Sequence, residues 1–293
     1  MASLKDLRRR IVSVKSTRQI TRAMKLVAAA KLRKAQLQIV RMRPYAYRLG
    51  DMIAELSRGE DHEAHKLLQV RDPKRTLLLV LTSDKGLAGA FNNNVNKAAL
   101  KWAEENADTR EHVELHIVGK KGRDYFKRRE VVVGKLHTEI LPDVTFAKAS
   151  KIGRELVAAY IDGSFDEVFV VYNQFKSALM QDVQVEKLLP LRPEDLDIND
   201  NIITPPSSET LFEPGQAEVL EALLPRHINV QVLRCLLESV ASEMGARMTA
   251  MENATNNAGD LIDKLSRQYN RARQAAITTE LMEITSGAEA LKG

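Results

Sequence analysis

SEMGARMTAMENATNNAGDLI, residues 242–262, has the spacing of a helix but suits neither a wide core nor a charged surface. Met244, Met248 and Met251 recur at intervals of three or four residues, which places them on one helix face. The residues around them are mostly small, and no bulky aliphatic side chain follows until Leu261. So slim a helix does not bury a wide face alone, and the stretch therefore predicts a second helix packed closely along it.

The same spacing extends in both directions through the C-terminal part of the chain, where no proline follows Pro225. Its period of about 3.5 residues is that of a left-handed coiled coil. The predicted seam consists of Leu233, Leu237, Val240, Met244, Arg247, Met251, Ala254, Ala258, Leu261, Leu265, Tyr269, Ala272 and Ala276.

A matching seam runs through the N-terminal part of the chain, which has one proline, Pro44, and no glycine before Gly50. Its members are apolar at both ends and polar in the middle: Leu4, Leu7, Ile11, Val14, Arg18, Thr21, Lys25, Ala28, Leu32, Ala35, Ile39 and Met42. Because the two segments lie at opposite ends of the chain, antiparallel pairing is the easiest geometry. We therefore predict a long antiparallel coiled coil of helices at 1–57 and 217–293.

The middle of the chain, residues 75–191, has the pattern of an α/β domain. The predicted strands are Arg75–Ser83, Val113–Val118, Glu167–Tyr172 and Gln181–Leu189, the last antiparallel at a sheet edge. The predicted helices are Asn93–Glu105, Lys121–Arg129 and Phe146–Ile161. This alternation predicts a central Rossmann-like, open α/β domain. Residues 192–216, rich in Pro, Asp, Asn and Ser, are predicted to form a connecting loop.

Charge is strongly segregated along the chain although its net value is only +5. Residues 1–50 hold 14 Lys or Arg and one acid, Asp6, whereas the other 243 residues hold 30 basic and 38 acidic groups. The N-terminal segment therefore favours an acidic partner. The single cysteine, Cys235, excludes an internal disulfide and indicates a reducing compartment. With no visible secretory signal and no apolar run near about 18 residues, we expect a soluble intracellular chain.

Few motifs indicate chemistry. The turn SDKGLAGAFNNNV, residues 83–95, joins a strand to a helix but matches no phosphate-binding signature, and Asp84 is expected to cap it. His112 and His116 share one strand face without a further metal ligand in view, and we expect exposed histidines at a sheet edge. His62 and His65, in a polar linker, are interpreted in the same way. No catalytic triad or paired carboxylate is apparent, so we predict no catalytic residue, metal or cofactor.

A basic coiled-coil nucleic-acid-binding protein is the main alternative, because a cationic helix beside a zipper-like seam resembles a basic-region DNA binder. Against it, the basic residues are spread along the helix, and Val27 to Ala30 interrupt any continuous phosphate-facing stripe. A nucleotide-binding enzyme that uses the turn at 83–95 is a weaker alternative.

Three separated segments, in this order, resemble the gamma subunit of F-type, bacterial-type ATP synthases. They are LRRRIVSVKSTRQITRAMKLVAAAKLRKA at 7–35, ASEMGARMTAMENATNNAGDLI at 241–262 and YNRARQAAITTELMEITSGAEA at 269–290. The resemblance covers the whole chain. It implies a non-catalytic central rotor shaft that couples rotation of a proton-driven membrane c ring to conformational cycling of the catalytic beta subunits.

The resemblance also implies the partners: the alpha and beta subunits of the catalytic ring, the epsilon subunit and the c ring. The complex would lie peripherally on the cytoplasmic face of a bacterial inner membrane. The residues implied to contact the beta subunits or the bearing are Arg18, Arg22, Met24, Lys25, Arg247, Ile277, Thr278, Glu280, Leu281 and Glu283. Glu252 and Thr279 depart from the family pattern, in which a lysine and a glutamine are common.

Overall fold

The computed structural model describes residues 3–57, 65–178, 180–192, 213 and 215–290. The chain forms two compact units, Met1–Ala28 with Met248–Gly293, and Ala29–Arg247. Both boundaries fall inside the long helices, α1 (Leu4–Ser57) and α5 (Gln216–Ala290). Most of the predicted connecting loop and the last three residues lie outside the described residues. The division into segments 1–57, 75–191, 192–216 and 217–293 stays a prediction.

In the unit formed by the chain termini, α1 and α5 pair as an antiparallel coiled coil. Thr21 Oγ1 lies 2.8 Å from Thr255 Oγ1, and Lys25 Nζ lies 2.6 Å from Glu252 Oε1. Residue numbers thus rise along α1 as they fall along α5, which confirms the antiparallel pairing. Members of both predicted seams are buried between the helices: Leu7, Thr21, Ala28, Met251, Ala258 and Leu265.

One aliphatic position of the predicted seam was wrong. Leu261 is 44% exposed, and its neighbour Ile262 is buried instead. From Ala258 a step of three residues reaches Leu261 and a step of four reaches Ile262, and both steps fit a helix of 3.6 residues per turn. Adjacent aliphatic residues leave that choice to packing.

The unit Ala29–Arg247 contains a five-stranded sheet in the order β3-β2-β1-β4-β5. The strands are β1 (Arg75–Leu81), β2 (His112–Val118), β3 (Val132–His137), β4 (Glu167–Phe175) and β5 (Gln181–Leu189). The first four are parallel, and β5 runs antiparallel to β4 at the edge, as predicted. Central β1 is buried from Thr76 onward, because layers cover both faces of the sheet.

Helices cover both faces of this sheet, which confirms the doubly wound arrangement. They are α2 (Phe91–Glu105), α3 (Lys120–Phe126) and α4 (Phe146–Ile161), and a short 3-10 turn spans Leu141–Asp143. On one face, Leu77, Leu79 and Leu81 of β1 share a core with α4 and with buried residues of α1 and α5. On the other face, Leu78 and Val80 pack with residues of α2 and α3. Successive side chains of β1 thus alternate between two cores.

The edge strand β3 was not predicted, and its presence overturns one expectation about the histidines. Val132 and Val133 are 49% and 40% exposed, so β3 lacks the alternation of buried and exposed residues that marks a strand. Because β3 covers β2, β2 is an inner strand, and His116 is buried rather than exposed at an edge. His65 is half-buried, its Nδ1 accepting a hydrogen bond from the Leu67 N–H, and His62 lies outside the described residues.

Candidate partner-contact site on the two long helices

The turn after β1 forms hydrogen bonds with neighbouring segments of the chain. Asp84 was expected to cap the turn into α2, but it bridges two other segments instead. Its carboxylate accepts hydrogen bonds from the N–H groups of Lys120 (3.1 Å) and Glu139 (3.0 Å). At the start of α2, Asn92 Oδ1 accepts a hydrogen bond of 2.9 Å from the Ser83 N–H. The aspartate thus caps α3. This helix lies beside Asp84 in the fold although it is far from it in the sequence.

Helix α5 covers the carboxyl ends of β1 and β4, where an open α/β sheet ordinarily binds its ligand. Ser242 Oγ donates a 2.9 Å hydrogen bond to the carbonyl oxygen of Asn173 in β4. Arg247 Nη2 donates a 3.1 Å hydrogen bond to the carbonyl oxygen of Gly86 after β1. A Cβ placed on Gly245 would lie 3.3 Å from the Cα of Ala178, so the helix approaches this edge closely. The crevice is thus filled by the chain itself.

Arg247, one of the expected contact residues, is largely enclosed within this unit. Its side chain is 12% exposed and its Nη2 lies 2.6 Å from Glu243 Oε1. Burial raises the pKa of the Glu243 carboxyl, and the Arg247 guanidinium opposes that rise. This arginine therefore joins α5 to the turn after β1.

The expected contact residues of α1 divide into exposed and half-buried positions. Arg18 and Arg22 are exposed, whereas Met24 and Lys25 are half-buried on the pair of helices. Arg18 lies against α5, since a Cβ on Gly259 would be 3.8 Å from Arg18 Cζ. The glycine thus leaves room for the guanidinium to lie along the partner helix.

Both departures from the family pattern form bonds within the chain. Glu252, which stands where a lysine is common, forms the ion pair with Lys25, and the two side chains are 47% and 35% exposed. Thr279, which stands where a glutamine is common, donates its hydroxyl proton to the carbonyl oxygen of Ala275 at 3.0 Å. Sequence reasoning did not predict either bond.

We expect Glu252→Lys to lower the free energy of unfolding by up to about 1 kcal/mol, because it places two ammonium groups together on an exposed pair. Adding Lys25→Glu restores opposite charges and should recover most of that loss. Urea denaturation of the full chain measures both effects. A double variant no more stable than Glu252→Lys alone would show that the two residues are not coupled.

The last turns of α5 carry the remaining expected contact residues, Ile277, Thr278, Glu280, Leu281 and Glu283. Every residue from 277 to 288 is exposed, so no other described part of the chain covers this end of the helix. Ile277, Leu281 and Ile284 are 48%, 59% and 69% exposed. They follow each other by four and three residues and therefore form one apolar stripe on a helix face.

Further exposed apolar residues of the long helices lie outside the expected contact set. Ile20, Leu26, Val27, Met282 and Ile284 are each more than half exposed, yet none belonged to the expected contact set. The signal that identifies them is simple: they are large apolar residues of the long helices that lie outside the predicted seams. Met282 and Ile284 lie at the uncovered end of α5, and exposed apolar patches commonly mark sites of interaction.

Comparisons with known proteins agree over the whole length of the chain. A family model described as ATP synthase matches residues 3–291. The ATP synthase gamma chain of Geobacter sp. (strain M21) is 49% identical over all 293 residues, covering 100% of both chains. The gamma chains of Anaeromyxobacter sp. (strain K) and Bdellovibrio bacteriovorus are 48% and 47% identical, again with complete coverage of both chains.

The chain belongs to the ATP synthase gamma family. It is therefore a rotor stalk subunit, the central shaft of an ATP synthase, and not a catalytic subunit. The comparisons give no support to the nucleic-acid-binding alternative.

Solved structures agree on the fold. The central stalk and c ring structure of Tetrahymena thermophila mitochondrial ATP synthase contains a chain 28% identical, with a TM-score of 0.61 over 80% of this chain and 99% of that one. A chain of the Euglena gracilis mitochondrial ATP synthase, in an OSCP/F1/c-ring structure, has a TM-score of 0.68 at 20% identity, covering 98% of this chain and 94% of that one. Among the described residues, no helix is long and apolar enough to cross a membrane. No group of three or more His, Cys, Asp or Glu in that same part of the chain is arranged to hold a metal ion.

Proposed function

We propose that the exposed end of α5 and the exposed residues of α1 form the surface by which this shaft bears on the ring of alpha and beta subunits. The observation that carries the proposal is the apolar stripe of Ile277, Leu281 and Ile284 at an end of α5 that no described segment covers. An exposed stripe of large aliphatic side chains lowers the solubility of a protein unless a partner covers it. The rotor role of the family supplies that partner.

The contacts on this surface are of two kinds. Arg18 and Arg22 of α1 are exposed cations in a segment with 14 basic residues and one acid. They would attract acidic loops of the beta subunits at long range, with little dependence on orientation. Aliphatic side chains make non-directional contacts, which suit a shaft that must leave each partner and meet the next. The faces of the shaft differ from one another, so the three catalytic sites of a three-fold ring around it are unequal at any moment. The angle of the shaft is thereby coupled to the nucleotide affinity of each site.

The remaining partners and the location follow from the family. We infer that the epsilon subunit and the c ring bind the chain away from this surface, so that proton flow through the membrane turns the whole shaft. The bacterial relatives at 47–49% identity support a position on the cytoplasmic face of a bacterial inner membrane, peripheral to it. Arg247, Thr278, Glu280 and Glu283 stay predicted members of the contact surface.

Replacing Ile277, Leu281 and Ile284 together by glutamine tests the proposal. Glutamine is a good helix former, and exposed positions tolerate substitution within about 0.5 kcal/mol of the free energy of unfolding, so the chain itself stays equally stable. The assembled complex should nevertheless lose coupled ATP turnover, because the partner surface loses its apolar contacts.

A matched control is Val70→Gln, which removes an aliphatic side chain that is 66% exposed outside the two long helices. It should leave both stability and turnover unchanged. Normal turnover in the triple variant, with the chain present in the complex at its usual ratio, would contradict the proposed bearing role of the stripe.

A further inference from the structure

A cleft of about 880 Å³ opens in the unit Ala29–Arg247, between α4 and the part of the sheet that contains β2 and β3. The rotor role assigns nothing to it, although ligand sites commonly have volumes of about 300–1,000 Å³. Its charged and titratable lining comprises Arg75, Lys135, Lys151, Arg154, His112, His116, Glu114, Glu155 and Asp162.

The carboxylates of the cleft are already engaged by neighbours. Glu114 lies between two imidazoles, 3.5 Å from His112 Nε2 and 3.0 Å from His116 Nε2. Glu155 lies 3.2 Å from Lys135 Nζ and 3.9 Å from His137 Nε2. The Asp162 carboxylate accepts a 2.9 Å hydrogen bond from the Ser164 N–H. Each carboxylate thus has a polar partner within the chain, and Lys135 also offsets the charge of Glu155.

Two of the cations have no such partner. Arg75 pairs with Asp166 at 3.4 Å, but neither Lys151 nor Arg154 forms an ion pair or a side-chain hydrogen bond with any described residue. Both are exposed on the cleft side of α4, three residues apart, so their Cβ atoms are about 5–6 Å apart. A guanidinium fork beside an ammonium group is a common arrangement for binding an oxyanion.

The floor of the cleft depends on a glycine. A Cβ on Gly134 of β3 would lie 1.9 Å from Glu114 Oε1 and 2.8 Å from His116 Cδ2. Any side chain there would displace the carboxylate from its place beside the imidazoles. The glycine therefore allows a His-Glu-His row, supplied by β2, to lie beneath the cations of α4.

The charge of this floor, and of His137 on β3 beside Glu155, depends on pH. Burial lowers the pKa of both His116 and His137, so these imidazoles are neutral at pH 7 and become protonated under more acidic conditions. The groups that face them are Glu114 on β2, Lys135 on β3, Glu155 and Lys151 on α4, and each other. Protonation adds positive charge beside Lys151 and Arg154, and a bound anion would in turn favour the protonated imidazoles.

We propose that this cleft binds a phosphate group between Lys151 and Arg154, and that the histidine floor strengthens the binding as the pH falls. The group is either free inorganic phosphate or the phosphoryl group of a larger ligand, since the cleft is larger than phosphate alone requires.

Titration of the full chain with sulfate at constant ionic strength tests the proposal, because sulfate keeps its double charge between pH 5.5 and 7.5. NMR resonances of the six histidine rings report the binding site directly. Saturable shifts of His112, His116 and His137 are expected, with affinity about tenfold higher at pH 5.5 than at pH 7.5. Lys151→Gln with Arg154→Gln should weaken binding by about tenfold or more.

The matched control is Lys127→Gln with Arg128→Gln, which removes the same charge from exposed residues outside the cleft and should leave the affinity unchanged. Parallel titrations with phosphate and with ADP identify the source: equal affinity indicates free phosphate, and tighter ADP binding indicates a phosphoryl group of a larger ligand. An unshifted His227 resonance shows that each variant is folded, since this histidine is buried in α5. Absence of saturation, equal weakening by the two double variants or an affinity independent of pH would each overturn the proposal.

Discussion

A disulfide between Leu26→Cys and a cysteine placed on the facing segment of a beta subunit should abolish steady-state ATP turnover by the assembled complex, and reductant should restore it. Leu26 is 65% exposed and adjoins Met24 and Lys25, two of the expected contact residues. A covalent link there stops the shaft from presenting its other faces to the ring, so only one catalytic site would reach each conformation. Leu26 follows the interhelical contacts made by Thr21 and Lys25, so the link would be placed on the paired part of α1.

The native thiol does not complicate this experiment. Cys235 is fully buried, and burial raises the pKa of its thiol, so it contributes little reactive thiolate. The complex that carries only Leu26→Cys, treated with the same oxidant, is the control and should keep full turnover. Undiminished multisite hydrolysis with the disulfide intact would refute the proposed rotation against the beta subunits.

The second large expected effect is a loss of stability when the glycine that follows β2 is replaced. Gly119 has φ +94°, and a Cβ there would lie 2.1 Å from the carbonyl oxygen of Thr82. Its N–H also donates a 2.8 Å hydrogen bond to His137 O, which holds β3 against β2. Gly119→Ala should therefore lower the free energy of unfolding by at least about 3 kcal/mol, since backbone strain and a clash with a main-chain atom act together.

Gly163→Ala separates the effect of backbone strain from that of the steric clash. Gly163 also has a positive φ of +79°, but nothing lies within 4 Å of the Cβ that the substitution would add. It should cost about 1–2 kcal/mol, the strain of a left-handed conformation alone. Urea denaturation of both full-length variants measures the difference, and equal losses would show that the close approach to Thr82 relaxes without cost.

The sequence predicted only part of the proposed contact surface. The family motifs indicated Ile277 and Leu281, and the structure adds Ile284 on the same stripe because its exposure is known. Arg247, whose motif suggested a partner contact, also has a role within the chain: its guanidinium bonds Glu243 and the Gly86 carbonyl oxygen within its own unit. A sequence motif identifies a residue that matters, but its bonding partner depends on a turn about 160 residues earlier in the chain.

By itself, the sequence determined the long antiparallel helices, the central α/β domain and the family. A helical period, an apolar strand and a family motif each depend on residues that are close together in the chain. They can therefore be recognised without knowledge of packing. Only the tertiary structure decided that β3 forms the sheet edge, that His116 is buried, that Ile262 rather than Leu261 enters the seam and that α5 fills the crevice of the sheet. Each of those outcomes depends on which distant segment lies beside a residue, and burial and hydrogen bonding between distant segments exist only after the chain has folded.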